Sequence, residues 1–105
     1  TLFPYTTLFR STTLDRAMER FGRPDFIKMD IEGAEVEALA GAERVLTEAR
    51  PTWLIELHGP ECEAGVRRIL SGHGYRFEHL DGRGVTDGEP LPQHVVAKCP
   101  KVKVV

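Results

Sequence analysis

The chain has 105 residues, 41% of them hydrophobic, with 14 basic against 16 acidic groups and a formal charge of −2. That length suits one domain, or part of one, and the 28 Leu, Ile, Val and Phe residues are too many for a disordered tail. The near-neutral balance argues against a nucleic-acid surface, which needs clustered Lys and Arg, and no apolar run approaches the roughly 20 residues of a membrane helix.

Cys62 and Cys99 are too few and too far apart for a disulfide framework or a zinc site, so a reduced, cytoplasmic compartment is the expectation. Residues 1–11 (TLFPYTTLFRS) are β-prone and apolar but do not form a signal peptide, because Arg10 follows the apolar residues and no small-residue cleavage site is present. Their pattern does not connect to the helical segment beginning at Thr12 and resembles a translated adaptor scar. They are expected to be a non-native leader, with the domain proper over 12–105.

Residues 12–22 (TTLDRAMERFG) carry a helical signature: Thr13 can cap, Leu14, Ala17, Met18 and Phe21 share a face, and Gly22 stops the helix. Residues 26–31 (FIKMDI) form a short apolar run ending in an acid, as expected of a buried parallel strand. From Glu32 the period becomes helical and continues through Ala49, where Arg50-Pro51 ends it. A second buried strand is expected over 52–58 (TWLIELH), a helix over 61–71, and a strand nearer the sheet edge over 75–80 (YRFEHL). A loop rich in Gly and Pro comes next over 81–93, then a last strand over 94–99 (HVVAKC).

The order α-β-α-β-α-β-loop-β predicts an α/β fold, a parallel sheet with helices on both faces and right-handed crossovers. The last two strands, with no helix between them, are expected to pair antiparallel. Four strands make a thin sheet for a doubly wound domain, so the chain is expected to be half of one.

In open α/β sheets ligands bind beyond the carboxyl ends of the strands. There the sequence places Asp30, Glu32 and Glu35 after the first strand, and Glu56 and His58 at the end of the second. Glu56 and His58, two apart, leave the same face and can serve as base and orienter, or as metal ligands with Asp30. Glu56 comes directly after Trp53-Leu54-Ile55, and burying its charge unpaired costs several kcal/mol, so it needs a partner, a proton or a cavity. Glu32 and Glu35 are also suited to a plain role in the first helical turn, where negative charge complements the helix dipole, with Glu35 facing away from the sheet end. Gly33 permits close backbone approach. His73, His79 and His94 suit surface positions, and neither cysteine has basic neighbours that would make a reactive thiolate. No phosphate-cradling glycine motif follows a strand.

The run FIKMDIEGAEVEALAGAERVL with RPTWLIELHG soon after resembles the central signature of the FkbM family of methyltransferases. That signature is I-K-x-D-x-E-G-x-E, then L-x-G-A, then Pro and a strand ending E-x-H. Ile27, Lys28, Asp30, Glu32, Gly33, Glu35, Leu39, Gly41, Ala42, Pro51, Glu56 and His58 fill those places. TTLDRAMERFG resembles the family's lead-in and HVVAKCP its closing strand.

The resemblance implies the carboxyl half of a Rossmann-like seven-stranded fold, strands four to seven, with the last antiparallel beside the fifth. It implies S-adenosylmethionine as methyl donor and a hydroxyl acceptor on a sugar, glycolipid or polyketide-like small molecule. Asp30 is then the donor-side residue, Asp30 or His58 the base, Glu56 the orienter of His58 or part of the acceptor pocket, and Glu32 and Gly33 the strand-to-helix turn. Most donor contacts would lie in an amino-terminal half outside this chain, so little donor binding by the chain alone is expected. A divalent metal among Asp30, Glu56 and His58 would lower the pKa of a bound hydroxyl. Two other readings compete: a hydrolase using those three residues with a metal, and a non-catalytic module that pairs through an exposed sheet edge.

Overall fold

The computed structural model describes residues 12–100, and the leader expected over 1–11 lies outside them. Helix α1 spans Leu14–Phe21. Its amino end is capped as expected, with the Thr13 hydroxyl accepting from Arg16 N, and Gly22 closes it at φ 95°. Strand β1 follows over Phe26–Met29, α2 over Glu35–Ala40, β2 over Thr52–Glu56, α3 over Pro60–Gly72, β3 over Arg76–Glu78 and β4 over His94–Lys98. Among the described residues no helix is long and apolar enough to cross a membrane.

The single helix expected from Glu32 to Ala49 is two pieces: α2, and after a break a π-helical turn over Val45–Ala49. The cause lies in α1. A Cβ on Gly41 would sit 3.0 Å from Thr13 Cγ2, so the chain passes tightly under the start of α1, where Asp15 N donates to Gly41 O at 3.1 Å. The Asp15 carboxylate then accepts from Arg44 N at 3.1 Å and Val45 N at 2.9 Å, restarting the helical path with a cap borrowed from another element. Arg50 ends it in the left-handed region at φ 50°.

The sheet has the order β1-β2-β4-β3. β1 and β2 are parallel, while β4 fills the slot between β2 and β3 and runs antiparallel to both. The antiparallel last pair and the edge position of the YRFEHL segment therefore agree with expectation. Among the described residues the two-sided cover does not. Ile27 and Met29, Trp53 and Ile55, Val95 and Ala97 lie in register on one face and are buried, as are Leu14, Met18, Leu39, Val66 and Leu70 of the helices, in one core. The other face carries Phe26, Lys28, Leu54 and Val96, exposed or half-buried. Among the described residues all three helices contribute to the same core, so these strands alternate buried and open positions as a one-sided sheet does. At β4 the antiparallel direction brings its amino end beside the carboxyl end of β2, with Glu56 paired to His94.

Candidate active site

The site forms where β1 and β2 end. β1 stops at Met29, and Asp30 is the first residue past it, half exposed. The chain then turns through two successive left-handed residues, Glu32 at φ 51° and Gly33 at φ 96°. Glycine adopts that region freely, whereas a glutamate does so at a cost of about 1 kcal/mol or more. Glu32 and Gly33 are themselves exposed, but the turn aims the N–H groups of Ile31 and Gly33 inward, where an acceptor must meet them.

Glu35 supplies it. Its side chain is fully buried, with Oε2 accepting from Ile31 N at 2.9 Å and Oε1 from Gly33 N at 3.1 Å. The sequence placed Glu35 in the first turn of the helix, facing away from the sheet end. It does open α2, but its carboxylate folds back under the strand end. The reason is energetic, since a buried carboxylate is tolerable only when saturated with donors, and the turn presents two.

His58 lies two residues beyond Glu56 in the turn that precedes α3. Its Nε2 is 3.5 Å from Asp30 Oδ1 and its Nδ1 is 3.4 Å from Glu35 Oε1. The imidazole therefore stands between an exposed carboxylate and a buried one. Cys62, in the first turn of α3, donates Sγ–H to the same Glu35 oxygen at 3.1 Å. Burial pushes that thiol's pKa up, and the adjacent Glu35 adds to the shift, which agrees with the expectation that it is no reactive thiolate.

Glu56 is half-buried rather than enclosed by its apolar neighbours. Gln93 Nε2 donates to its Oε1 at 3.5 Å, and His94 Nε2 stands 3.7 Å from the same oxygen. One donor atom each from Asp30, Glu56 and His58 lies within 4.8 Å of the other two, so the three residues singled out from the sequence do converge. Glu32 and Gly33 form the strand-to-helix turn. Cys62 carried no site signal in the sequence, and Glu35, placed at the strand end, was given only a helix-turn role facing away from it. The available signal was Gly33, a residue suited to left-handed backbone at a strand-to-helix turn, two positions before an acid able to accept from that turn.

Two cavities flank the Asp30–His58 pair. One, of about 560 Å³, is lined by Thr12, Leu14, Asp30, Ile31, Glu32 and Ala38. The other, of about 510 Å³, is lined by Leu57, His58, Pro60, Glu63, Leu91 and Gln93. Both volumes fall within the roughly 300–1,000 Å³ of small-molecule pockets. The second owes its wall to the loop before β4, which is tied to the site by Leu57 N donating to Gln93 O at 2.8 Å and Leu91 N to Glu63 Oε1 at 2.6 Å.

Three helices on a mixed sheet, with carboxylates and one imidazole at its carboxyl edge, make this an α/β domain of the kind that binds ligands at strand ends. The family model of the methyltransferase FkbM domain matches residues 6–77. The chain belongs to that family. Comparison with curated proteins and with solved structures returned no match.

Proposed function

We propose that this chain carries the acceptor-activating part of an S-adenosylmethionine-dependent O-methyltransferase, whose acceptor is a hydroxyl of a sugar, glycolipid or polyketide-like small molecule. The observation that carries the proposal is His58, poised with Nε2 toward Asp30 between two cavities of ligand size in a member of a methyltransferase family. The residues present suit such a donor in size and charge: the 560 Å³ cavity has apolar walls at Leu14, Ile31 and Ala38 for a flat base, and carboxylates at Asp30 and Glu32 that attract a cation and accept from hydroxyls.

The donor supplies a methyl group on a positively charged sulfur, which an acceptor oxygen displaces. The chain's own residues make that oxygen nucleophilic. An acceptor hydroxyl in the second cavity donates to His58 Nε2, the ring takes the proton as the new C–O bond forms, and the resulting imidazolium is stabilised by Asp30 on one side and Glu35 on the other. Glu56 and Gln93 offer an acceptor and a donor to neighbouring hydroxyls of the acceptor molecule. Holding the oxygen in line with the methyl group contributes as much as removing its proton.

Two carboxylate oxygens and one imidazole nitrogen also suit a manganese or zinc ion, and that convergence favours a metal-dependent hydrolase as the second reading. The test is transfer of a labelled methyl group to a panel of sugar and hydroxylated lipid acceptors, by the chain and by the complete product of its gene, with and without EDTA. Transfer that survives EDTA supports the proposal. Metal-dependent hydrolysis with no methyl transfer supports the second reading, and no binding of S-adenosylmethionine to either protein overturns the first.

A further inference from the structure

The position of Glu35 bears on which nitrogen of His58 carries the proton. Nδ1 is buried from water and has no hydrogen-bond partner, and Glu35 Oε1, at 3.4 Å, is the carboxylate beside it. A lone pair on Nδ1 would face that oxygen at close range in a dry setting, where repulsion between two acceptors is unscreened. A proton there converts the repulsion into a charge-assisted interaction that a small ring rotation closes. Glu35 itself is held against rotation by Ile31 N and Gly33 N and is completely buried, so the carboxylate is the fixed partner and the imidazole the one that adapts.

We infer that Glu35 is a positioning residue that fixes His58 in the Nδ1–H tautomer, leaving the Nε2 lone pair turned toward Asp30 and the space between the two cavities. The inference rests on the proposed function only where it makes Nε2 the base; the tautomer follows from the geometry alone. The groups facing His58 are Asp30 at Nε2, Glu35 at Nδ1 and Glu56 within the same cluster, and Cys62 shares the Glu35 oxygen. Among these, Glu35 alone is fully buried, and only a fixed, desolvated acceptor selects a tautomer strongly. Asp30, half exposed, can turn to water.

The substitution that separates orientation from architecture is Glu35→Gln. Its amide oxygen can still accept from Ile31 N and Gly33 N, while its NH₂ group, turned to His58, becomes a donor where an acceptor stood. The ring should then exchange its tautomer, with Nδ1 accepting and Nε2 carrying the proton. Nitrogen-15 NMR of the labelled 105-residue chain reads this directly in metal-free buffer, at a pH where the ring is neutral. In the wild type the unprotonated-type resonance belongs to Nε2; in E35Q it moves to Nδ1, while the amide spectrum elsewhere stays that of the folded chain. Glu35→Asp, with the carboxylate withdrawn by one methylene, should give a mixture. A wild-type chain with the proton on Nε2 overturns the inference, as does a folded E35Q chain with an unchanged tautomer. If E35Q does not fold, the wild-type assignment still decides. Methyl transfer plays no part in this measurement, so the function can fail while the tautomer stands, and the reverse.

Discussion

Gly65 sits in α3 against Val36 of α2, and replacing it with Ala is the sharpest test of how the two helices hold the site. A Cβ at Gly65 would lie 2.6 Å from Val36 Cγ2 and 3.3 Å from Cγ1, whereas unstrained carbon contacts fall near 3.5–4.0 Å. Val36 is stiff at χ1, so the helices must part or the valine must leave its rotamer. Overpacking of this kind costs about 1–3 kcal/mol, and the intrinsic preference of a helix for Ala over Gly returns roughly 0.5–1 kcal/mol. The net is a destabilisation of up to about 2.5 kcal/mol, centred on about 1 kcal/mol, and each 1 kcal/mol lowers the melting temperature by about 4–8 °C in a domain of this size.

Gly72, in the same helix, has nothing within 4 Å of its would-be Cβ, so Gly72→Ala should be neutral or slightly stabilising. Thermal melts of the two variants should therefore move apart, and adding Val36→Ala to the Gly65→Ala chain should recover part of the loss. A Gly65→Ala protein that melts at or above the wild-type temperature refutes the argument. The site should register the same change. α2 carries Glu35 and α3 carries Cys62, so separating the helices breaks the 3.1 Å contact between them and exposes the thiol.

On the proposed function, His58→Ala should lower the rate of methyl transfer by about 10²–10⁴, the usual contribution of general-base catalysis, with donor affinity measured by calorimetry unchanged. Cys62, 6% exposed and with its thiol pKa raised chiefly by burial, should be alkylated by iodoacetamide at pH 8 several-fold more slowly than Cys99 of the same chain, as followed by peptide mass spectrometry. Tyr75 is buried and donates its hydroxyl to Pro51 O at 2.8 Å, and burial above all raises its pKa. The folded state then holds the phenol proton where the unfolded chain, titrating near 10, has released it. Stability is unaffected by this group below about pH 10 and falls as pH rises above that value. Denaturant titrations at pH 9 and pH 11 should show the drop, and Tyr75→Phe should remove this component of it.

The elements were legible because their punctuation is local. Thr13 and Gly22 bracket α1, Arg50-Pro51 ends the helical stretch, and Gly59-Pro60 separates β2 from α3. The convergence of Asp30, Glu56 and His58 was also legible, since parallel neighbours bring their carboxyl ends to one edge. What was not legible depends on partners distant in sequence. The break after α2 is imposed by Thr13 and Asp15, 26 or more positions away, and the buried state of Glu35 depends on Cys62 and His58 closing over it. The open face of the sheet escaped for a different reason. A run such as FIKM is apolar enough for burial on both sides, and only the packing of the helices shows that Phe26 and Lys28 receive no cover from them.

The place of β4 in the sheet has a consequence for the order in which the molecule is made. β3 joins β2 only through β4, which enters between them, and the start of β4 and the residue before it bring His94 and Gln93 to the carboxylate of Glu56. Until residues 94–98 are made, β2 lacks its antiparallel neighbour and Glu56 lacks His94. Residues 94–98 hydrogen-bond on both sides, to β2 and to β3, so one strand completes two ladders. A chain cut before His94 would hold every candidate catalytic side chain and lack the strand that closes β2 beside Glu56.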